Sequence, residues 1–333
     1  MASILTKILN LAINEDVSDI HLSANNYLYL RKQTKLYKQH TLISRQDITD
    51  IIQELLDEQQ LRQLIKAQTL DCAYEFNKRR FRLNIYATEC SYAIALRLIR
   101  QKAISLSTFP SYNTLKQIIT KTHGLILICG ATGSGKSTTL ASMIDYLNKY
   151  TVKHIITLEE PIEFTFTSEK SLIHQREQGK HFIKFNKAIK AALRQDPDVL
   201  MIGEIRDRQT LKATLTAAET GHLILATCHA TNTSEALMRI ESLFAAKQVQ
   251  NIRTQIANCL NAIIAQQLIF TKDGNLACAM EILIANTAIK NTIRQGRYEQ
   301  IPSQIQLHKN MGMQTMNEAI NAIARRNNEK CMY

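Results

Sequence analysis

The residues with the clearest chemical potential lie in the glycine-rich stretch GATGSGKSTT, positions 130–139. It matches the pattern G-x-x-x-x-G-K-[ST], in which glycines allow backbone N–H groups to surround phosphates. In this pattern the lysine contacts the β and γ phosphates, and the hydroxyl that follows it ligates Mg²⁺. The sequence therefore predicts a nucleotide site, to which we assign Gly130, Thr132, Gly133, Ser134, Gly135, Lys136, Ser137 and Thr138.

Four strand-sized apolar runs are predicted to position this chemistry. The run GLILIC leads into the glycine-rich loop and a helical pattern follows it, while further runs occupy 153–158, 198–203 and 222–227. In a parallel α/β sheet, ligand-contacting groups gather beyond the carboxyl ends of the strands. The polar residues at those ends are therefore expected to converge on one edge: Glu159, Glu160, Glu163, Glu204 and His229.

The types of these residues fit hydrolysis of a γ-phosphate, which needs Mg²⁺, a carboxylate that orients water, and cations. Glu204 follows an apolar strand and is predicted to hold Mg²⁺, either directly or through water. Glu163 is the better candidate for positioning the attacking water. The alternative for the stretch EEPIE is a charged turn around Pro161.

Two histidines, His222 and His229, flank the run LILATC. At ~3.3 Å per residue in an extended strand they lie about 23 Å apart, so one metal ion cannot bind both. At the carboxyl edge, His229 is expected to contact the γ-phosphate and report its loss; the alternative is a hydrogen-bonded turn histidine. For His222 we expect a structural role after Gly221.

The distribution of glycine and of apolar patterns organises the chain. None of the ten glycines lies in residues 1–123, and seven lie between Gly124 and Gly221, which places the functional centre in the middle. We predict an α/β protein with a mixed domain over 1–100, a linker over 101–114 and a larger α/β domain over 115–333. The N-terminus is predicted to be an amphipathic helix rather than a signal peptide, and the stretch 45–65 has one continuous helical period.

Composition narrows the class of protein. With 45% hydrophobic and 21% charged residues, the 333-residue chain is typical of a folded globular protein. No apolar stretch approaches the ~20 residues of a membrane-spanning helix, and we expect a cytoplasmic protein. The seven cysteines are scattered without a C-x-x-C pair: Cys72, Cys90, Cys129, Cys228, Cys259, Cys278 and Cys331. This argues against a zinc site or disulfide framework, and we expect most of them to be reduced core residues. The net charge of +12 permits nucleic acid, acidic membrane or acidic protein as partners and does not choose among them.

Four ordered motifs resemble those of the secretion ATPase superfamily, which drives type IV pili and type II secretion. They are the Walker A loop, an acidic box (ITLEEPIEF), a Walker B strand (DPDVLMIGEIRD) and a histidine box (TAAETGHLILATCHAT), and SDIHL resembles the family's opening motif. Within the superfamily the chain is most similar to the PilT-type pilus retraction ATPases. It lacks a four-cysteine metal site, and ANTAIKNTIRQG and MGMQTMNEAI resemble two C-terminal segments of that branch.

The resemblance implies a homo-hexameric ring that hydrolyses ATP with Mg²⁺ to power pilus retraction and twitching motility. Each subunit would pair a PAS-like N-terminal domain with a RecA-like ATPase domain that ends in C-terminal helices. Arg82 and Arg97 match family arginines that reach the phosphates. The implied partners are an inner-membrane pilus platform protein and a second retraction ATPase, at the inner face of the bacterial inner membrane; no nucleic acid partner is expected.

The chain departs from the family pattern at several positions. Glu160 stands where the family usually has Asp, and is a candidate metal ligand with a longer side chain. In the retraction motif Lys290, Thr292 and Gln295 replace Arg, Leu and Glu. These changes leave ATP binding intact and leave the direction of the motor open.

Three alternatives to a retraction motor follow. The first is a pilus assembly, type II secretion or DNA-uptake motor of the same superfamily. The second is a DNA-translocating RecA-like motor, which the basic charge suits. The third is a nucleotide-binding regulator without turnover, against which the presence of Lys136, Glu163 and Glu204 argues.

Overall fold

The computed structural model describes residues 3–15, 17–32, 35–77, 79–99, 103–271, 274 and 276–329. The chain divides into two compact units, the first formed by Met1–Lys102 with Pro161–Thr165 and the second by Ala103–Glu160 with Phe166–Tyr333. Cys331 and the first two residues of the predicted linker, 101 and 102, lie outside the described residues. Within the described ranges, no helix is long and apolar enough to cross a membrane.

The first unit is built on a six-stranded antiparallel sheet with the strand order β3-β2-β1-β6-β5-β4. Its strands are β1 (Asp19–Ser23), β2 (Asn26–Lys32), β3 (Lys35–Ile43), β4 (Thr69–Phe76), β5 (Arg79–Ala87) and β6 (Tyr92–Ile99). Its helices are α1 (Ile4–Asn14), α2 (Arg45–Leu55) and α3 (Glu58–Ala67). The amphipathic N-terminal helix is confirmed, because α1 buries Leu5, Ile8, Leu9 and Ala12, which recur at helical spacing.

The helical periodicity over 45–65 corresponds to two consecutive helices, α2 and α3. Leu56 is extended, with φ −114° and ψ 140°, and Asp57 starts a new helix. The Asp57 carboxylate accepts a hydrogen bond from the Gln60 N–H, while the Gln60 side chain accepts one from the Asp57 N–H. This reciprocal capping box satisfies two N–H groups at a helix start and outweighs the continuous apolar period.

The second unit is built on a seven-stranded sheet with the order β13-β12-β7-β11-β10-β8-β9, in which only β13 is antiparallel. Its strands are β7 (Gly124–Cys129), β8 (His154–Glu159), β9 (Leu172–Glu177), β10 (Val199–Ile202), β11 (Leu223–Cys228), β12 (Leu260–Phe270) and β13 (Leu276–Ile284). Its helices are α4 (Tyr112–Ile119), α5 (Lys136–Tyr150), α6 (Phe185–Ala192), α7 (Arg208–Glu219), α8 (Thr233–Ser242), α9 (Ala246–Cys259), α10 (Thr287–Gln295), α11 (Ile301–Leu307) and α12 (Met316–Glu329).

The core of the second unit lies along the central strands. Every residue of β7, β10 and β11 is buried, as expected for parallel strands covered by helices on both faces. The parallel registers align the carboxyl ends of these strands, and Cys129 of β7 lies opposite Cys228 of β11. The loops that follow β7, β10 and β11 therefore leave the sheet at one edge.

Candidate active site

The glycine-rich loop joins β7 to α5 through backbone conformations that favour glycine. Gly130, Gly133 and Gly135 have φ values of 156°, 80° and 87°. The helix α5 begins at Lys136, and its N-cap residue Gly135 provides no side-chain hydrogen bond to the first turn. The N–H groups at the start of α5 are therefore left for an anion, which the helix dipole also favours.

The interior of the loop has the polar chemistry of a phosphate site. The Lys136 Nζ donates hydrogen bonds to the carbonyl oxygens of Gly130 and Ala131, at 2.8 and 2.9 Å. The hydroxyl of Ser134 is buried and has no hydrogen-bond partner among the described residues. Three features fit bound nucleotide phosphates. The Lys136 side chain lies over the loop, the Ser134 hydroxyl has no hydrogen-bond partner among the described residues, and the start of α5 has no side-chain cap.

Gln266 on β12 supports the loop and was missed by sequence reasoning. Its side chain is buried, and its Nε2 donates a hydrogen bond to the carbonyl oxygen of Ser134 at 2.7 Å. Its backbone oxygen lies 2.6 Å from the position that a Cβ on Gly130 would take. The available signal was a pair of glutamines, Gln266 and Gln267, inside the run LNAIIAQQLIF, whose only other polar residue is Asn261.

A chain of four polar side chains brings three strand ends together. The Glu204 carboxylate, after β10, lies 2.9 Å from His229 Nε2, after β11. Its other oxygen accepts a hydrogen bond from Arg206 Nε at 2.9 Å. A second Arg206 nitrogen donates to Glu160, after β8, at 2.8 Å. Glu160, Glu204 and His229 thus belong to one network, which Arg206 completes.

The backbone around Glu204 is fixed by contacts with β11 and by the start of α7. The Thr227 hydroxyl donates to the Gly203 carbonyl at 2.5 Å, and the Ile205 N–H donates to the Thr227 carbonyl at 2.9 Å. Asp207 caps α7 by accepting from the N–H groups of Gln209 and Thr210. Burial raises the pKa of Asp207, but the hydrogen bonds from Thr210 and Gln209 outweigh it and hold the pKa below its ordinary value.

Glu159, one residue of the predicted edge, and His222 have structural contacts. Glu159 is buried, and its carboxylate accepts hydrogen bonds from the Thr157 hydroxyl at 2.7 Å and from Gln175 at 3.1 Å. His222 lies at the opposite end of β11, where its Nδ1 is 3.2 Å from the Ala217 carbonyl oxygen. Its own carbonyl accepts from the Gly124 N–H at 3.0 Å, in line with the structural role expected for it.

Arg82, Arg97 and Glu163 belong to the first unit. Arg82 and Arg97 are register partners on β5 and β6, so both side chains leave the same face of the sheet. Arg97 pairs with Asp19 at 2.7 Å, and Arg82 lies 3.7 Å from Asp71. The catalytic roles of these three residues stay predictions.

Cysteines lie directly beneath the site but do not form a metal centre. The thiols of Cys129 and Cys228 are buried neighbours, and the hydrogen bond between them, together with burial, raises the pKa of Cys129. Among the described residues, no group of three or more His, Cys, Asp or Glu side chains is arranged to hold a metal ion.

The altered retraction motif forms α10. Thr292 is buried, and its hydroxyl donates to the Ala288 carbonyl at 3.1 Å, which satisfies the hydroxyl within its own helix. Lys290 is partly buried and Gln295 is exposed. The polar replacement at 292 is thus accommodated locally, and ATP-site geometry does not depend on it.

Comparison with known proteins identifies the family of this chain. The family model "Type II/IV secretion system protein" matches residues 1–329, and the chain belongs to this family. It is 36% identical over 316 residues to the uncharacterized protein YggR of Escherichia coli K12, covering 95% of this chain and 96% of that protein. It is 39% identical over 287 residues to a twitching motility protein of Neisseria gonorrhoeae, covering 85% of this chain and 76% of that protein.

A solved structure resembles the whole chain. The crystal structure of the pilus retraction motor PilT with bound ADP matches with a TM-score of 0.88 at 35% identity, covering 98% of this chain and 94% of that chain. The mixed α/β architecture with a parallel-sheet core, predicted from the sequence, is confirmed by this match and by the sheet topology.

Proposed function

We propose that this chain is an ATPase of a type IV pilus retraction motor, which hydrolyses ATP with Mg²⁺ in a homo-hexameric ring. The observation that carries the proposal is the glycine-rich loop before the uncapped start of α5, which faces an anion site. The similarity over nearly the whole chain to a retraction motor that holds ADP supports both the nucleotide and the biological role. The sequence-predicted division into a PAS-like domain (1–100), a linker (101–114) and a RecA-like domain (115–333) is part of the proposal.

The loop binds the nucleotide and its metal. Backbone N–H groups of residues 130–138 surround the phosphates, and Lys136 turns from its loop carbonyls to the β and γ phosphates. The Ser137 hydroxyl and Glu204, directly or through water, hold Mg²⁺, with Glu160 as a further candidate ligand. The metal, when bound, neutralises charge that develops on the phosphate oxygens.

The network of Glu160, Glu204, Arg206 and His229 links hydrolysis to the presence of the γ-phosphate. His229 contacts Glu204 and is expected to contact the γ-phosphate as well, so loss of that phosphate would remove one of its two partners. Glu163 positions the attacking water. Arg82 and Arg97 exchange their carboxylate partners for phosphate oxygens and stabilise the transition state.

The ring works at the inner face of the inner membrane against a platform protein, with a second retraction ATPase as a further partner. Deleting the gene in the bacterium that encodes the chain, and complementing it with the wild type or with Lys136→Ala, tests this role. Electron microscopy counts surface pili and an agar assay measures twitching. We expect more pili without twitching, restored by the wild type only. Loss of all pili would identify an assembly motor, and unchanged pili and twitching would refute the pilus role.

A further inference from the structure

A stripe of positive charge covers one face of α6. Between Glu177 and Asp196 the chain has five lysines or arginines and no acidic residue: Lys180, Lys184, Lys187, Lys190 and Arg194. Lys187, Lys190 and Arg194 follow one another at helical spacing and are exposed, while the opposite face of α6 buries Ala188, Ile189 and Ala192. Within the described part of the chain, Lys184, Lys187 and Lys190 form no ion pair.

A stripe of negative charge of the same size covers α2 and the start of α3. Residues 46–61 contain five acidic side chains and no basic one: Asp47, Asp50, Glu54, Asp57 and Glu58. Asp50 and Glu54 are exposed one turn apart, while α2 buries Ile48, Ile51, Ile52 and Leu55 on its other face. Gln46 donates to Asp50 and Ser3 donates to Glu54, so these two carboxylates have neutral donors, whereas Glu58 pairs with Arg62 at 3.3 Å.

The two stripes match in charge and in helical spacing. An anionic lipid surface or a nucleic acid would account for the basic stripe and leave the acidic stripe without a role. A second copy of this chain carries both stripes, so one kind of contact accounts for both. Contacts that join different surfaces of identical subunits run head to tail, and they form a ring where the rotation between subunits closes.

We infer that the basic stripe on α6 of one copy binds the acidic stripe on α2 and α3 of the next copy around the ring. The inference rests on the ring proposed above and adds the surfaces that form its contacts. Because the charged side chains are exposed, screening by salt should weaken the contact as the Debye length falls from ~8 Å at 0.15 M to ~3 Å at 1 M salt.

Charge reversal tests the contact. One variant carries Lys187→Glu and Lys190→Glu, and the other carries Asp50→Lys and Glu54→Lys. Analytical ultracentrifugation at 0.15 M salt with ATP analogue should show that each variant alone dissociates at a concentration about tenfold higher than the wild type, because attraction becomes repulsion. Lysine and glutamate both favour helix, and circular dichroism verifies that each variant is folded.

Mixing the two variants distinguishes a contact between copies from one within a chain. In an equimolar mixture each reversed stripe can meet a complementary reversed stripe on the other variant, and each native stripe can meet a native one. Alternating rings should therefore reassemble at the wild-type concentration. A contact within one chain would not be restored by mixing, and failure of the mixture to assemble overturns the inference.

A control and two comparisons complete the experiment. Lys212→Glu with Lys247→Glu changes the charge equally on exposed positions of α7 and α9 and should assemble as the wild type does. If this control dissociates equally, net charge and not the stripe sets assembly, and the inference is wrong.

A wild type that is monomeric under all conditions refutes the ring itself. A further outcome is that rings survive both reversals while Lys187→Glu with Lys190→Glu loses binding to phosphatidylglycerol vesicles. That result would assign the basic stripe to lipid binding and overturn the contact between copies.

Discussion

Replacing Gly130 with alanine is expected to weaken nucleotide binding strongly, because the added Cβ would distort the glycine-rich loop. A Cβ at this position would lie 2.6 Å from the backbone oxygen of Gln266, about 0.8 Å short of the 3.4 Å at which ordinary contact begins. It would also collide with the Ser134 hydroxyl. The backbone of β12 is held in the sheet by β7 and β13, so the loop and not the strand must move.

The size of the loss in nucleotide affinity follows from the hydrogen bonds between the loop and the phosphates. Hydrogen bonds to a charged phosphate contribute roughly 1.5–3 kcal/mol each, and a shift approaching 1 Å breaks about two of them. The affinity for nucleotide should therefore fall by about a hundredfold or more, at ~1.4 kcal/mol per factor of ten. Because the added Cβ also overpacks the fold, the free energy of unfolding should fall by roughly 1–3 kcal/mol.

Gly221→Ala is the matched control. Gly221 also has a positive φ of 99°, but a Cβ there meets nothing within 4 Å, and it precedes β11 at the end of the strand opposite Cys228. This variant should lose about 1–3 kcal/mol of stability from backbone strain and keep its nucleotide affinity. Fluorescence titration with a labelled ATP analogue and thermal unfolding measure the two quantities. Wild-type affinity in Gly130→Ala, or equal loss of affinity in both variants, would refute the reasoning.

Three further predictions concern the support of the site and the core. Gln266→Ala should weaken nucleotide binding about five- to tenfold, because the Ser134 carbonyl loses its buried donor, while Gln267→Ala on the exposed face should not; titration of both decides. Burial raises the pKa of Glu241, but hydrogen bonds from Arg253 and Tyr298 outweigh it and leave the pKa lowered, so its stabilisation is present above about pH 4.5 and is lost as the pH falls through the lowered pKa. The melting temperature of Glu241→Gln should therefore lie well below that of the wild type at pH 7 and converge with it in acid, and a constant difference would contradict this. Iodoacetamide at pH 8 should modify exposed Cys90 but not Cys259, whose pKa burial raises to about 12; mass spectrometry of the native protein's peptides tests the contrast.

The parts of the site that the sequence predicts are those set by local pattern. The apolar runs predict β7, β8, β10 and β11, and the rule that polar groups gather at carboxyl ends predicts the meeting of Glu204 with His229. The loop is predicted because its glycines and its lysine recur at a fixed spacing. These features depend on residues close in the chain or on a general property of parallel sheets.

The features that the sequence did not predict depend on strand order or on competing local signals. Gln266 reaches the loop because β12 lies beside β7, although Gln266 and Ser134 are 132 positions apart in the chain. Nothing in the run around Gln266 specifies that neighbour. The break at Leu56 is not specified by the helical periodicity of the stretch; the capping box at Asp57 determines where the second helix begins. The pairing of Arg82 with Arg97 likewise follows from the register of β5 on β6.

Hydrolysis of ATP by the purified full-length chain, wild type against Glu204→Gln, tests the central claim most directly. Glutamine keeps the shape of the side chain and removes the negative charge that faces His229 and Arg206. With Mg²⁺ and saturating ATP, we expect steady phosphate release from the wild type and a loss of at least about a hundredfold in Glu204→Gln, with nucleotide binding retained. A wild type that binds ATP without releasing phosphate, or a Glu204→Gln variant that turns over at the wild-type rate, would contradict the account.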